Sequence, residues 1–182
     1  MQRSLMTVAT VALLLATPGL TRADAKPATP LQPMKARLSN AAPSIDALLD
    51  QFVHALSKGD EKALQRLRVT EREYRGIIIP GTVKPGETPR NVASEPSEWF
   101  WSMLNQKSED VSQALIKSYA GHTYKRKAVS FTKGTRQFAW YAAHGDVRLV
   151  LETETGETRE LGTGAIAEID GRYKFIGFNT NN

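Results

Sequence analysis

The chain has no cysteine among its 182 residues and three histidines. The missing thiol excludes disulfides, thiolate nucleophiles and a lipid anchor attached through cysteine. His54, His122 and His144 lie far apart and form no His-x-His or His-Glu-x-x-His spacing, so no metal site is expected. Gly-x-Ser-x-Gly and a Gly-rich phosphate loop are also lacking. The glycines of Gly162-Thr163-Gly164 lie inside a strand-like pattern, where glycine marks a bulge or bend. These absences remove most cofactor-free nucleophilic chemistry and leave no implied cofactor.

What is present begins with Arg3 and an apolar run from Leu5 to Ala16, too short to span a bilayer comfortably. Small residues follow at Ala23-Asp24-Ala25. The pattern predicts a signal peptide over residues 1–25, cleaved after Ala25 or after Ala23, and a periplasmic or secreted protein. The alternative is an uncleaved anchor helix. Cleavage removes Arg3, Arg22 and Asp24 and takes the formal charge from +5 to +4. The remaining charge is scattered. Its densest group, Lys125-Arg126-Lys127, reads as the solvated face of a strand, and no specific nucleic-acid partner is implied.

Residues 26–43 carry Pro27, Pro30, Pro33 and Pro43 and read as an extended linker. Ser44 then caps a helix to Lys58, with Ile45, Leu48, Leu49, Phe52, Val53 and Leu56 on one stripe and Gly59 ending it. Asp60 caps a short second helix from Glu61 to Arg68. Thr70 and Glu73 form a capping-box pattern ahead of Ile77-Ile78-Ile79-Pro80. A Pro-containing loop spans residues 82–94, and a long helical region runs from Glu95 to Tyr119, with a bend expected near Ser108. On these helices Ser94, Ser97, Ser102 and Ser108 read as caps or surface residues.

From His122 onward the periodicity changes to strands: 122–131, 137–142, 146–152, and the stretch 158–169 joined to 173–178 through Asp170-Gly171. Asp-Gly between apolar runs predicts a type I′ hairpin. Short connections predict an antiparallel meander, and helices followed by strands predict an α+β domain over residues 44–182.

This order resembles the nuclear transport factor 2-like (ketosteroid isomerase-like, SnoaL-like) superfamily. The residues carrying the likeness are Gly59-Asp60 with Ala63-Leu64, Thr70-Glu71-Arg72-Glu73-Tyr74 before Ile79-Pro80, Trp101, Lys107-Ser108, and the closing Asp170-Gly171-Arg172-Tyr173-Lys174-Phe175. The likeness covers nearly all of residues 44–182 and points to uncharacterised secreted bacterial members. It implies a cone of helices on a curved sheet, with a pocket at the open end, and no particular reaction.

Isomerase chemistry of this family needs a carboxylate base and an oxyanion donor. Asp146 and Glu168 are the candidate bases, and Tyr74, Tyr119 and Tyr141 the candidate donors. None sits in a diagnostic pattern. The primary reading is therefore a non-catalytic domain binding a small apolar or amphipathic ligand, with Tyr74, Trp101, Arg136 and Tyr141 as ligand-binding residues. The alternative is an isomerase or dehydratase. A third reading is a homodimer through a sheet face bearing Phe138, Trp140 and Phe178, with no membrane contact after signal cleavage.

Overall fold

The computed structural model describes residues 37–90 and 97–179. The signal segment, most of the linker, Ser94 and Glu95-Pro96 lie outside the described residues. Helices come first and an antiparallel layer follows, the predicted α+β order.

Helix α1 spans Ile45–Lys58. The Ser44 hydroxyl accepts from the Ala47 N–H at 3.0 Å, and Gly59 ends the helix at φ 65°. Both follow from the need to satisfy terminal backbone groups. Its stripe buries Leu48, Leu49, Phe52, Val53 and Leu56. Each such side chain contributes about 1.5–3 kcal/mol of transfer free energy. Phe52 meets Phe175 and Phe178 at ring separations of 5.3 and 5.6 Å, and those two meet each other at 5.2 Å. This triangle joins α1, the last strand and the C-terminal segment. Phe178 is 1 % exposed, so it belongs to the core and not to a sheet face available for dimerisation.

Helix α2 spans Glu61–Arg66 and is capped by Asp60. Helix α3, Glu71–Glu73, carries the predicted capping box. The helical run continues beyond it. A π-helical stretch, Tyr74–Ile78, leads into α4, Ile79–Gly81. Pro80 gives the reason: it has no N–H and its ring crowds the carbonyl four residues back, and a widened turn relieves both.

Helix α5 spans Ser97–Tyr119 without interruption at Ser108. Ser108 and Ser112 are fully buried, as is most of Ser97. They are not surface residues. Ser108 Oγ donates to the Leu104 carbonyl and accepts from the Phe178 N–H at 3.0 Å. A hydroxyl that bonds back into its own helix can be buried, and its small size lets another backbone approach. A Cβ on Gly177 would lie 2.6 Å from Leu104 Cδ1. Trp99 and Met103, large apolar side chains of this helix, are 56 % and 46 % exposed.

Seven strands follow: β1 (Tyr124–Phe131), β2 (Thr135–Gln137), β3 (Ala142–His144), β4 (Val147–Thr153), β5 (Thr158–Gly162), β6 (Ile166–Ile169) and β7 (Arg172–Phe175). They form two sheets, ordered β1-β4-β5 and β2-β3-β6-β7. The simple meander is therefore corrected. Residues 138–141 are a turn, with the Phe138 N–H on the Tyr141 carbonyl at 2.9 Å, where one strand over 137–142 was expected. Gly145-Asp146 is a corner between sheets, not a hairpin. The β3–β4 and β5–β6 connections each pass from one sheet to the other. Gly164 lies in the second connection: a Cβ there would lie 1.8 Å from the Gly177 carbonyl oxygen. Asp170 and Gly171 have φ 50° and 67°, the predicted I′ turn.

Strand β7 is an edge that the chain covers itself. Ala42 exchanges two hydrogen bonds of 3.0 Å with Tyr173. On the same edge, Phe175 N–H reaches Leu67 O at 2.9 Å and Val69 N–H reaches Phe175 O at 2.8 Å. Leu38 and Ala42 are buried, so residues 38–42, assigned to the linker by composition, belong to the packed body. This covering leaves no open β7 ladder.

Candidate ligand-binding site

The Leu67–Val69 bridge to β7 fixes the backbone of Arg68 and buries its side chain to 2 % exposure. Burying a guanidinium demands partners. Arg68 Nη1 donates to Gln65 Oε1, and Nη2 donates to Asn105 Oδ1 at 3.3 Å. The guanidinium carbon lies 6.0 Å from the Trp101 ring centre and 5.8 Å from that of Phe178. No carboxylate bonds it among the described residues. Its Nε–H and the Gln65 Nε2 amide are buried without an acceptor. Burial pushes the Arg68 guanidinium down to about 10, against a smaller upward pull from Glu109.

Gln65, Arg68, Trp101, Asn105 and Glu109 line one cavity of about 400 Å³, with Lys174 also in its wall. Trp101, Asn105 and Glu109 are four residues apart along α5 and so share a face. Asn105 Nδ2 donates to Glu109 Oε1 at 2.7 Å, which orients the amide oxygen toward Arg68.

Beside this cavity stands the ion pair of Glu73 and Lys174. Lys174 Nζ donates to Glu73 Oε2 at 2.9 Å, with side chains 3 % and 6 % exposed. Glu73 also accepts from Thr70 N (2.7 Å), Ser39 N (2.6 Å) and Ser39 Oγ (2.7 Å). Burial by itself would raise the carboxyl. The Thr70, Lys174 and Ser39 donors outweigh burial and hold it below its ordinary value. Lys174 is thus neutralised within the fold, whereas Arg68 is not.

The sequence-predicted residues are only partly gathered here. Trp101 lines the cavity and packs on Tyr74 at 5.6 Å. Tyr141 stacks on Phe138 at 4.9 Å and shares a 2.7 Å hydrogen bond with Thr82. Arg136 lies over Phe138 at 5.0 Å on the exposed β2. Burial raises the Tyr74 and Tyr141 hydroxyls above their ordinary value. Arg136 and Tyr141 do not line this cavity. Arg68, Gln65 and Asn105 were not foreseen. The available signal was Arg68 itself, set between two apolar residues, Leu67 and Val69, where a charge has to be buried or turned outward.

The candidate bases are engaged elsewhere. His144 Nε2 bonds Glu168 Oε2 at 2.7 Å, and its Nδ1 bonds Thr135 Oγ1 at 2.9 Å. Asp146 pairs with Lys133 at 2.6 Å. Tyr119 donates to the Glu160 carbonyl at 2.9 Å. A larger cavity of about 600 Å³ lies against His54, His122 and Arg126. Two of its cationic side chains are engaged: Arg126 bonds Asp46 at 2.7 Å and Asp50 at 3.0 Å, and His122 meets Glu154 at 3.3 Å. Among the described residues no group of three metal-ligating side chains converges, and no helix is long and apolar enough to cross a membrane. Comparison with protein-family models, curated proteins and solved structures finds no match.

Proposed function

We propose that this chain is an exported, non-catalytic small-ligand-binding domain of the nuclear transport factor 2-like type, and that the ligand occupies the Arg68–Trp101 cavity. One observation carries the reading: Arg68 and Gln65 line a cavity of about 400 Å³, and each holds a buried donor, Nε–H and Nε2–H, without an acceptor. An orphan buried donor costs about 1–3 kcal/mol, and a bound acceptor removes that cost. Trp101 supplies an apolar wall with a polar edge, as ligand sites commonly require. The helices-then-sheet order supports the family reading, and the N-terminal apolar run supports export. For the isomerase alternative, a carboxylate base would need to face a cavity; Asp146 and Glu168 line neither of the two described.

A thermal-shift screen of the chain from Lys26 to Asn182 with small envelope metabolites tests this reading. Stabilisation by a compound in the native chain, abolished in Trp101→Ala, is the expected result. No shift with any compound contradicts it.

A further inference from the structure

We infer that the ligand of this cavity is a small organic anion, whose carboxylate or phosphate oxygens accept from Arg68 Nε–H and Gln65 Nε2–H while its apolar part lies on Trp101. The inference rests on the cavity being a ligand site, and it adds the charge of the ligand.

The charge census favours an anion. Arg68 and Arg66 line the cavity, and Lys174 is already neutralised by Glu73. The negative group in the lining is Glu109, which is exposed and bonded to Asn105. The buried guanidinium therefore has amide oxygens and aromatic faces around it, but no counter-anion in contact. A buried charge is tolerated when paired and hydrogen-bonded, and here one N–H and the counter-charge are both lacking. Gln65 cannot serve by turning over. Its oxygen is held by Arg68 Nη1, so the amide nitrogen stays directed as a second free donor. Two neighbouring donors, one of them on a cation, match anionic oxygens, and charge assistance strengthens such bonds. Arg68 is pushed down by its burial, the direction that an arriving anion reverses.

The same geometry gives a decisive variant. Gln65→Glu keeps the side-chain shape, places a carboxylate on Arg68 Nη1 and removes the orphan amide donor. It installs inside the fold the charge that the ligand is inferred to bring. Titration calorimetry on the native chain would use sodium benzoate and inorganic phosphate as anionic probes, with benzamide and benzylamine as neutral and cationic counterparts of benzoate. Benzoate or phosphate should bind at least about tenfold tighter than benzamide or benzylamine. Gln65→Glu should melt at a higher temperature and lose that binding at least tenfold. Arg68→Met, checked for native circular dichroism, should lose it as well; if Arg68→Met does not fold, Gln65→Glu alone decides. Benzoate favoured over phosphate assigns a carboxylate, and the reverse a phosphate; both support the inference. Benzamide binding as tightly as benzoate, unchanged in Gln65→Glu, overturns the anion and leaves the ligand site standing. Absence of binding by all four probes, together with no hit in the metabolite screen, overturns both.

Discussion

Removing either partner of the buried Glu73–Lys174 pair should have unequal consequences, and the bond inventory says which is worse. Glu73 accepts from four donors, two on each oxygen: Ser39 N and Ser39 Oγ, then Thr70 N and Lys174 Nζ. In Glu73→Gln one oxygen becomes an NH2 group facing donors, and the Lys174 ammonium is left buried without a counter-charge. Breaking a buried pair in this way costs about 3–5 kcal/mol. In Lys174→Met the carboxylate keeps three donors, and the lost charge-assisted bond costs about 1.5–3 kcal/mol. Against a typical domain stability of about 5–15 kcal/mol, both effects are measurable. Urea unfolding followed by circular dichroism at neutral pH gives both numbers. Glu73→Gln should be the more destabilised by roughly 2 kcal/mol, the difference between the midpoints of those two ranges. Acid supplies the second half of the test. The Glu73 carboxyl is held below its ordinary 4.5 in the folded chain, so its contribution is present above that pH and is lost as pH falls through the folded value. The gap between native and Glu73→Gln should therefore shrink on acidification. A Lys174→Met cost equal to or above that of Glu73→Gln, or a gap that widens in acid, would refute the argument.

Three further outcomes follow from single contacts. Ser108→Ala leaves the buried Phe178 N–H without its acceptor and should cost about 1–3 kcal/mol in urea unfolding. Gly164→Ala drives a Cβ into the Gly177 carbonyl oxygen, backbone against backbone, and should leave little folded protein by circular dichroism, whereas Gly76→Ala, with nothing within 4 Å, should fold normally. Ser44→Ala removes the α1 cap and should lower stability by about 0.5–2 kcal/mol, with Ser44→Asp restoring most of it.

Much of the fold was legible because its signals are local. Ser44, Gly59, Asp60, Thr70 with Glu73, and Asp170-Gly171 each satisfy nearby backbone groups, and each sits where its chemistry required. What failed to show was set by distant partners. The aromatic run 137–142 has strand propensity, yet it turns: Phe138 closes on Tyr141, and the Ala139 N–H goes to the Val83 carbonyl. Residues 38–42 looked like linker because two buried residues, Leu38 and Ala42, among more exposed neighbours set up no periodicity. Ser108 looked like surface because its partner, the Phe178 N–H, lies 70 positions away. The site divides the same way. Trp101 was legible as a large aromatic on a helix. Arg68 was not, because its burial depends on the bridge to Phe175 and its neighbours Gln65 and Asn105 lie on two different helices.

The most direct measurement is the side-chain Nε–H resonance of Arg68 in a 15N-labelled chain, followed while sodium benzoate is added. If this donor waits for an anionic oxygen, the proton signal moves downfield and saturates, and Gln65→Glu shows that shifted position without benzoate. A resonance that stays in place while benzoate binds, or that is already downfield in the unliganded native chain, would contradict the account.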